Sequence, residues 1–263
     1  MKKSILIFCF LATALAGFTQ KTIINDPNAQ ARDMKNFHGV EVSNAIDLYL
    51  SQGEEESVVV SAKDVKFRDK IQTEVVNGIL KIYYEHETWK LFQSGNKKLR
   101  AYVSIKNIDR LTASGASDVY ISGQINFSNL HIGLSGASDL KMTDNASITG
   151  NMLDMNLSGA SDFHGSVKVN ELKLDQSGAS DAIISGTVAN GTNIEASGAS
   201  DVKGFDLVTD NCTARVSGAS DVKITVNKEL NAHATGASSI HYKGGAVIRD
   251  LHSSGASSVS RKG

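Results

Sequence analysis

The segment Ser114-Gly115-Ala116-Ser117-Asp118 returns seven more times, at Ser135, Ser158, Ser177, Ser197, Ser217, Thr235 and Ser254. Six copies read SGASD, the seventh TGASS and the eighth SGASS, at steps of 21, 23, 19, 20, 20, 18 and 19 residues. A repeat of about 20 residues is the signature of a solenoid, in which each repeat forms one coil stacked on its neighbours. A coil of this length has no room for an ordinary helix between its strands.

The columns within the repeat say what a coil is made of. Counting from each repeat glycine, position −4 holds Leu111, Ile132, Met155, Leu174, Ile194, Ala214, Ala232 and Leu251. Position −2 is mostly apolar as well, whereas −3 holds Thr112, Gly133, Asn156, Asp175, Glu195, Arg215, His233 and His252. This period-two alternation predicts a strand with one buried face before the glycine. A second strand is expected after it, because position +4 is apolar in every copy, from Val119 to Val259. The fixed leucine-rich frame and the strict six-residue subperiod of other solenoids are both missing. The chain is therefore expected to be all-β, a right-handed parallel β-helix rising roughly 4.8 Å per coil. The small residues of Ser-Gly-Ala-Ser are read as its corner. Gly115, Gly136, Gly159, Gly178, Gly198, Gly218, Gly236 and Gly255 supply positive φ there, and the serines bond along the stack or to the turn.

Outside the repeat the chain divides in order. Residues 1–20 pair Lys2 and Lys3 with an apolar run from Ile5 to Phe18, the pattern of a secretory signal peptide. Cleavage is expected between Ala16 and Lys21, leaving no integral membrane segment. Residues 21–36 read as a linker. Residues 37–108 read as irregular first coils and a cap without the SGASD corner. Here Asn77-Gly78, between IQTEVV and ILKIYY, signals a hairpin. A charged insertion, 85–98, carries Trp89 and Phe92, read either as a lid on the core or as an aromatic platform for a ligand. Residues 109–263 are the regular solenoid, and 37–260 one continuous domain.

FHGVEVSNAIDLYLSQG (Phe37–Gly53), TEVVNGILKIYY (Thr73–Tyr84) and the L-x-x-SGASDV coils resemble a bacterial family, the putative auto-transporter adhesin, head GIN domain family. The resemblance implies a right-handed β-helical fold and an envelope or surface location. It implies adhesion by the family's name, with no active site or ligand to carry over. Asp gives way to Ser239 and Ser258 in the last two corners, so any role of that column ends before the C-terminus.

Few positions promise chemistry. Asp118, Asp139, Asp162, Asp181, Asp201 and Asp221 form a column that suggests weak calcium binding, although the two-glycine calcium-repeat frame is missing. Carboxylates about 4.8 Å apart repel by only about 1 kcal/mol in water, and Lys141, Lys203 and Lys223 lie two residues on. A metal is not required, and the first reading of the column is a local one, Asp accepting backbone N–H bonds at the corner. His233 and His252 are expected to be neighbours, two ligands where structural zinc needs four. Cys212, the one cysteine after the signal segment, reads as a buried small hydrophobe. The net charge of −1 gives no electrostatic case for nucleic acid. No cofactor is called for.

The first functional reading is an exported, non-enzymatic binding or adhesive module for a glycan or a surface protein. An envelope spacer is the second and a polysaccharide lyase or hydrolase the third, the last weakened because every acidic position is a repeat position. At the open solenoid end two expectations compete: Arg261 and Lys262 blunt the edge by charge, or the edge is used for self-association.

Overall fold

The structure, a computed structural model, describes residues 26–85 and 97–263. The expected signal peptide and both Trp89 and Phe92 lie outside the described residues. What is described is a parallel β-solenoid of about eight turns.

The chain enters through β1 (Gln30–Arg32) and forms its first coil from β2 (Gly39–Val42) and β3 (Ile46–Gln52). It then leaves the axis through β4 (Ser57–Ser61), a one-turn helix α1 (Val65–Arg68), β5 (Ile71–Val76), β6 (Ile79–Tyr84) and β7 (Leu99–Ile105). Only after this excursion does the regular winding begin, with β8 (Arg110–Ala113) and β9 (Val119–Ile121). Space and sequence therefore disagree at this end. β2 lies between β6 and β8, parallel to both, and β3 lies between β7 and β9 in the same way.

Antiparallel strands finish the two edges. β5 closes one by pairing with β6 through the Asn77-Gly78 turn, where both residues have positive φ. β4 pairs with β7, and β1 with β4, on the other. β1 thus falls inside the segment expected to be linker: Gln30–Arg32 is structured because it covers an edge whose N–H and C=O groups would otherwise be open to foreign strands. Arg32 joins the two covers by donating from Nη2 to Ile71 O at 3.2 Å.

From β10 (Gln124–Asn126) and β11 (Asn129–Leu134) onward each coil has three faces. β12 (Leu140–Met142) and β13 (Ser147–Leu157) complete the next coil. In the following three, β14 (Asp162–Gln176), β15 (Asp181–Ala196) and β16 (Asp201–Val216), extended backbone runs from one corner to the next. β17 (Asp221–Gly236), β18 (Ser239–Lys243), β19 (Val247–Gly255) and β20 (Ser258–Arg261) follow. Asp162, Asp181, Asp201, Asp221, Ser239 and Ser258 stand in register through the stack.

Unequal coil lengths are absorbed in the faces away from the corner. Between β16 and β17, Gly204 pairs with Ile224, Val208 with Thr225 and Asn211 with Glu229. The offset falls from 20 to 17 and recovers to 18 within one coil, while the corner columns stay aligned. The expected inward columns are the core. Leu111, Ile132, Met155, Leu174, Ile194, Ala214 and Ala232 are all 0% exposed, as are Val119, Leu140, Phe163, Ala182, Val222 and Ile240. The last coil differs: Leu251, at a core position, is 54% exposed because no described coil stacks beyond it.

Candidate functional site

All eight corner glycines have positive φ, from 66° to 84°. A second constraint is added by the stack. A Cβ on Gly178 would lie 2.4 Å from the carbonyl oxygen of Gly159, and one on Gly198 equally close to Gly178 O. That carbonyl is also the acceptor for the next alanine, as in Ala179 N–H to Gly159 O at 2.8 Å. The second serine of the corner is buried in every copy but the last, where Ser257 is only partly covered. Ser200 Oγ donates to Ser197 O at 2.9 Å within its own corner, while Ser200 N–H donates to Ser220 Oγ in the next coil at 3.1 Å. Serine hydroxyls thus serve both the turn and the stack.

The structure reveals one more corner. Ser43-Asn44-Ala45-Ile46-Asp47 occupies the corner of the first coil, with Asn44 and Ala45 at positive φ. Ser114 N–H donates to Val42 O and Ile46 N–H to Ser117 Oγ, tying it to the first SGASD. Asp47 therefore heads the aspartate column.

On the face after the corner that column runs beside a second outward column at +5, which begins with three tyrosines. Tyr49 stacks between Tyr102 and Tyr120, each 5.0 Å away and tilted by 20° or less. The tyrosine faces are engaged with one another, so the ladder offers ring edges and hydroxyls rather than a stacking platform. Asp118 Oδ1 accepts from Asp139 N–H at 3.2 Å, Asp139 Oδ1 from Asp162 N–H at 3.3 Å, and Asp162 Oδ1 from Asp181 N–H at 3.1 Å. The expected N–H acceptance thus runs to the neighbouring coil rather than inside the corner. Lys141 Nζ donates to Asp139 and Lys203 Nζ to Asp181, both at 2.9 Å, and these bonds hold the two lysines above their ordinary pKa. Burial and then the neighbouring Asp118 raise the Asp47 pKa. Among the described residues, no three His, Cys, Asp or Glu side chains converge on one point where a metal ion could sit. The column spreads its carboxylates along the axis, one per coil.

The face before the corner carries a different feature, a trough of about 600 Å³ running along the axis. One wall is the −3 column, Asn156, Asp175, Glu195, Arg215 and His233, and the other is Ser158, Ser177, Ser197, Ser217 and Thr235 at −1. Between them the −2 side chains, such as Leu157 and Val216, point inward, so the floor of the strip is close to bare backbone. Asp175 Oδ2 accepts from Lys173 at 2.6 Å, whereas its Oδ1 is buried without a hydrogen-bond partner. Glu195 and Arg215 are 3.9 Å apart and about half exposed. His233 bonds Asp250 at 2.8 Å, and its ring lies 6.2 Å from that of His252. The two histidines are the neighbours that the repeat predicts.

Cys212 is buried, which pushes its thiol up to about 12. It is protonated and packed, not poised for chemistry.

The comparisons with known proteins follow the fold. A family model described as "Putative auto-transporter adhesin, head GIN domain" matches residues 36–246. A crystal structure of a putative adhesin from Parabacteroides merdae superposes with a TM-score of 0.79 at 15% identity, covering 89% of this chain and 95% of that one. Two structures from Parabacteroides distasonis each give 0.74. One, called a putative lipid binding protein, is 20% identical and covers 89% of this chain and 97% of its own. The other, a putative adhesin, is 18% identical with coverages of 88% and 96%. A search of curated proteins returns no match. At these identities the neighbours establish the fold alone.

Proposed function

The chain belongs to the head GIN domain family of putative auto-transporter adhesins, and from that premise we propose that it is an exported, non-enzymatic binding module of the cell envelope, with a glycan or a surface protein as partner. The observation that carries this reading is the regularity of the two outer faces beside the corner. Each presents polar side chains in columns, one residue per coil, so that many equivalent weak contacts can add along the axis. Such a surface suits attachment to something itself repetitive.

Catalysis would need one coil to stand apart. A hydrolase pairs carboxylates at a set separation with their pKa values pushed apart. Here the aspartates of the repeat are equivalent by register, and the one with a raised pKa, Asp47, lies beneath the cap and next to Asp118. A lipid would need an apolar cavity. The interior between the faces is filled by stacked side chains such as Phe163, Leu174 and Ile224, each 0% exposed. Among the described residues no helix is long and apolar enough to cross a membrane. The N-terminal pattern of Lys2, Lys3 and the Ile5–Phe18 run supports export.

Protease shaving of intact cells, followed by adhesion of the purified protein to immobilised glycans and proteins, tests the reading. Digestion on intact cells and saturable adhesion are expected. Protection until lysis, with no adhesion, would overturn the reading in favour of an envelope spacer whose function is length and rigidity.

A further inference from the structure

We propose that the trough before the corner is the ligand site, and that it takes a neutral linear glycan lying along the solenoid axis with one sugar per coil. This rests on the binding-module reading and adds to it a place, a direction and a ligand class.

The size fits an oligosaccharide. Five coils, from Asn156 to Thr235, line the strip, and four steps of ~4.8 Å make it about 19 Å long. Its volume of about 600 Å³ is that of a small-ligand site drawn out into a line.

The spacing selects among polymers. An extended peptide advances about 3.4 Å per residue and falls out of step with the coils at once. An extended chain of β-1,4-linked pyranoses places about one ring beside each coil, and because successive rings are turned about the chain, hydroxyls from alternating ring edges meet the two columns. A nucleic acid is disfavoured by charge, since Asp175 and Glu195 would face its phosphates.

The chemistry of the walls agrees. Each coil offers one hydroxyl from the −1 column and one longer polar group from the −3 column. Carboxylates accept from sugar hydroxyls and Arg215 donates, while Ser158 and Ser197, whose hydroxyls donate to Leu134 O and Gln176 O, keep lone pairs that accept. Asp175 meets the trough through its accessible Oδ2 edge, which also accepts from Lys173 at 2.6 Å. The charges are mixed rather than of one sign, with Asp175 and Glu195 toward one end and Arg215 toward the other. This favours an uncharged chain. None of the wall residues is Phe, Tyr or Trp, so affinity comes from hydrogen bonds that accumulate with length rather than from ring stacking.

The test is calorimetric titration of the intact mature protein with cello-, xylo- and manno-oligosaccharides of two to six units. For at least one series, affinity is expected to rise with each unit up to five and then level off. Glu195→Ala should weaken the five-unit ligand about tenfold, the loss of one hydrogen bond to a charged group. Asp175→Asn, which keeps the shape of the wall, should weaken it in the same direction. Glu195 is half exposed, so its removal should leave the melting temperature unchanged. Lys203→Ala, on the other face, should leave binding intact. Length-independent binding, or binding untouched by both trough variants and abolished by Lys203→Ala, would overturn the trough while leaving the module reading standing. Failure of every oligosaccharide together with adhesion to protein would do the same. Tighter binding of an acidic polymer such as polygalacturonate than of any neutral chain would overturn the ligand class.

Discussion

The first coil and the middle coils bury the same columns and turn the same corner, yet they do it with different residues. In the middle coils the corner is Ser-Gly-Ala-Ser, and glycine is fixed twice: by its positive φ and by the carbonyl oxygen of the previous glycine 2.4 or 2.5 Å from where a Cβ would stand. In the first coil the corner is Ser43-Asn44-Ala45-Ile46. Asn44 adopts the left-handed conformation, which asparagine tolerates better than most residues. At the junction between the two kinds, a Cβ on Gly115 would find its nearest neighbour, Asn44 N, at 3.5 Å. The glycine column therefore reflects stacking more than turning. A corner needs glycine chiefly because another glycine lies against it.

That difference can be broken in a graded way. Gly178→Ala, which meets both constraints, is expected to cost the most, about 3 kcal/mol or more from the left-handed φ and the forced separation of coils. Gly115→Ala, which meets only the first, should cost about 1–2 kcal/mol. Urea unfolding of the two variants measures the gap, and equal losses would show that the stack adds nothing to the turn. Ser220→Ala leaves the buried Ser200 N–H without its acceptor and should cost about 2 kcal/mol. At the first corner, where Ile46 replaces that serine, there is no hydroxyl to lose.

The smallest expected effect concerns Asp47. Its folded-state pKa is raised by burial and by Asp118, so its ionised form is a liability in the native state. The folded protein binds the proton more tightly than the unfolded chain, and the cost is fully present at neutral pH. It disappears as pH falls below the ordinary carboxylate range. Asp47→Asn should therefore raise the melting temperature slightly at pH 7 and leave it unchanged near pH 3. A rise that persists in acid would assign the effect to packing rather than charge.

Much of this architecture is legible in the sequence because a solenoid repeats its instructions. The period, the inward columns at −4 and +4, the outward column at −3 and the Asn77-Gly78 hairpin all follow from local pattern. The first corner is not legible by matching, since Asn44 and Ile46 replace two of the four small residues. Its signal is Ser, Ala and Asp at the right offsets, followed by the alternating Leu48 and Leu50. The tyrosine ladder is hidden for another reason: its spatial order is Tyr102, Tyr49, Tyr120, which chain order scrambles because the excursion between β3 and β8 places β7 on the far side of β3. Of the trough, the sequence shows the −3 column but not the hollow. The hollow comes from the bend between that column and the −1 serines, where the −2 side chains turn inward.

The regular coils act as a ruler, and the measurement that tests this most directly is a crystal structure of the protein with a bound five-unit oligosaccharide. The account predicts electron density along the face before the corner, from Asn156 to Thr235, with one sugar ring beside each coil and hydroxyls within hydrogen-bonding distance of the Glu195 carboxylate and the Arg215 guanidinium. Density across the axis, or along the aspartate and tyrosine columns of the other face, would contradict it.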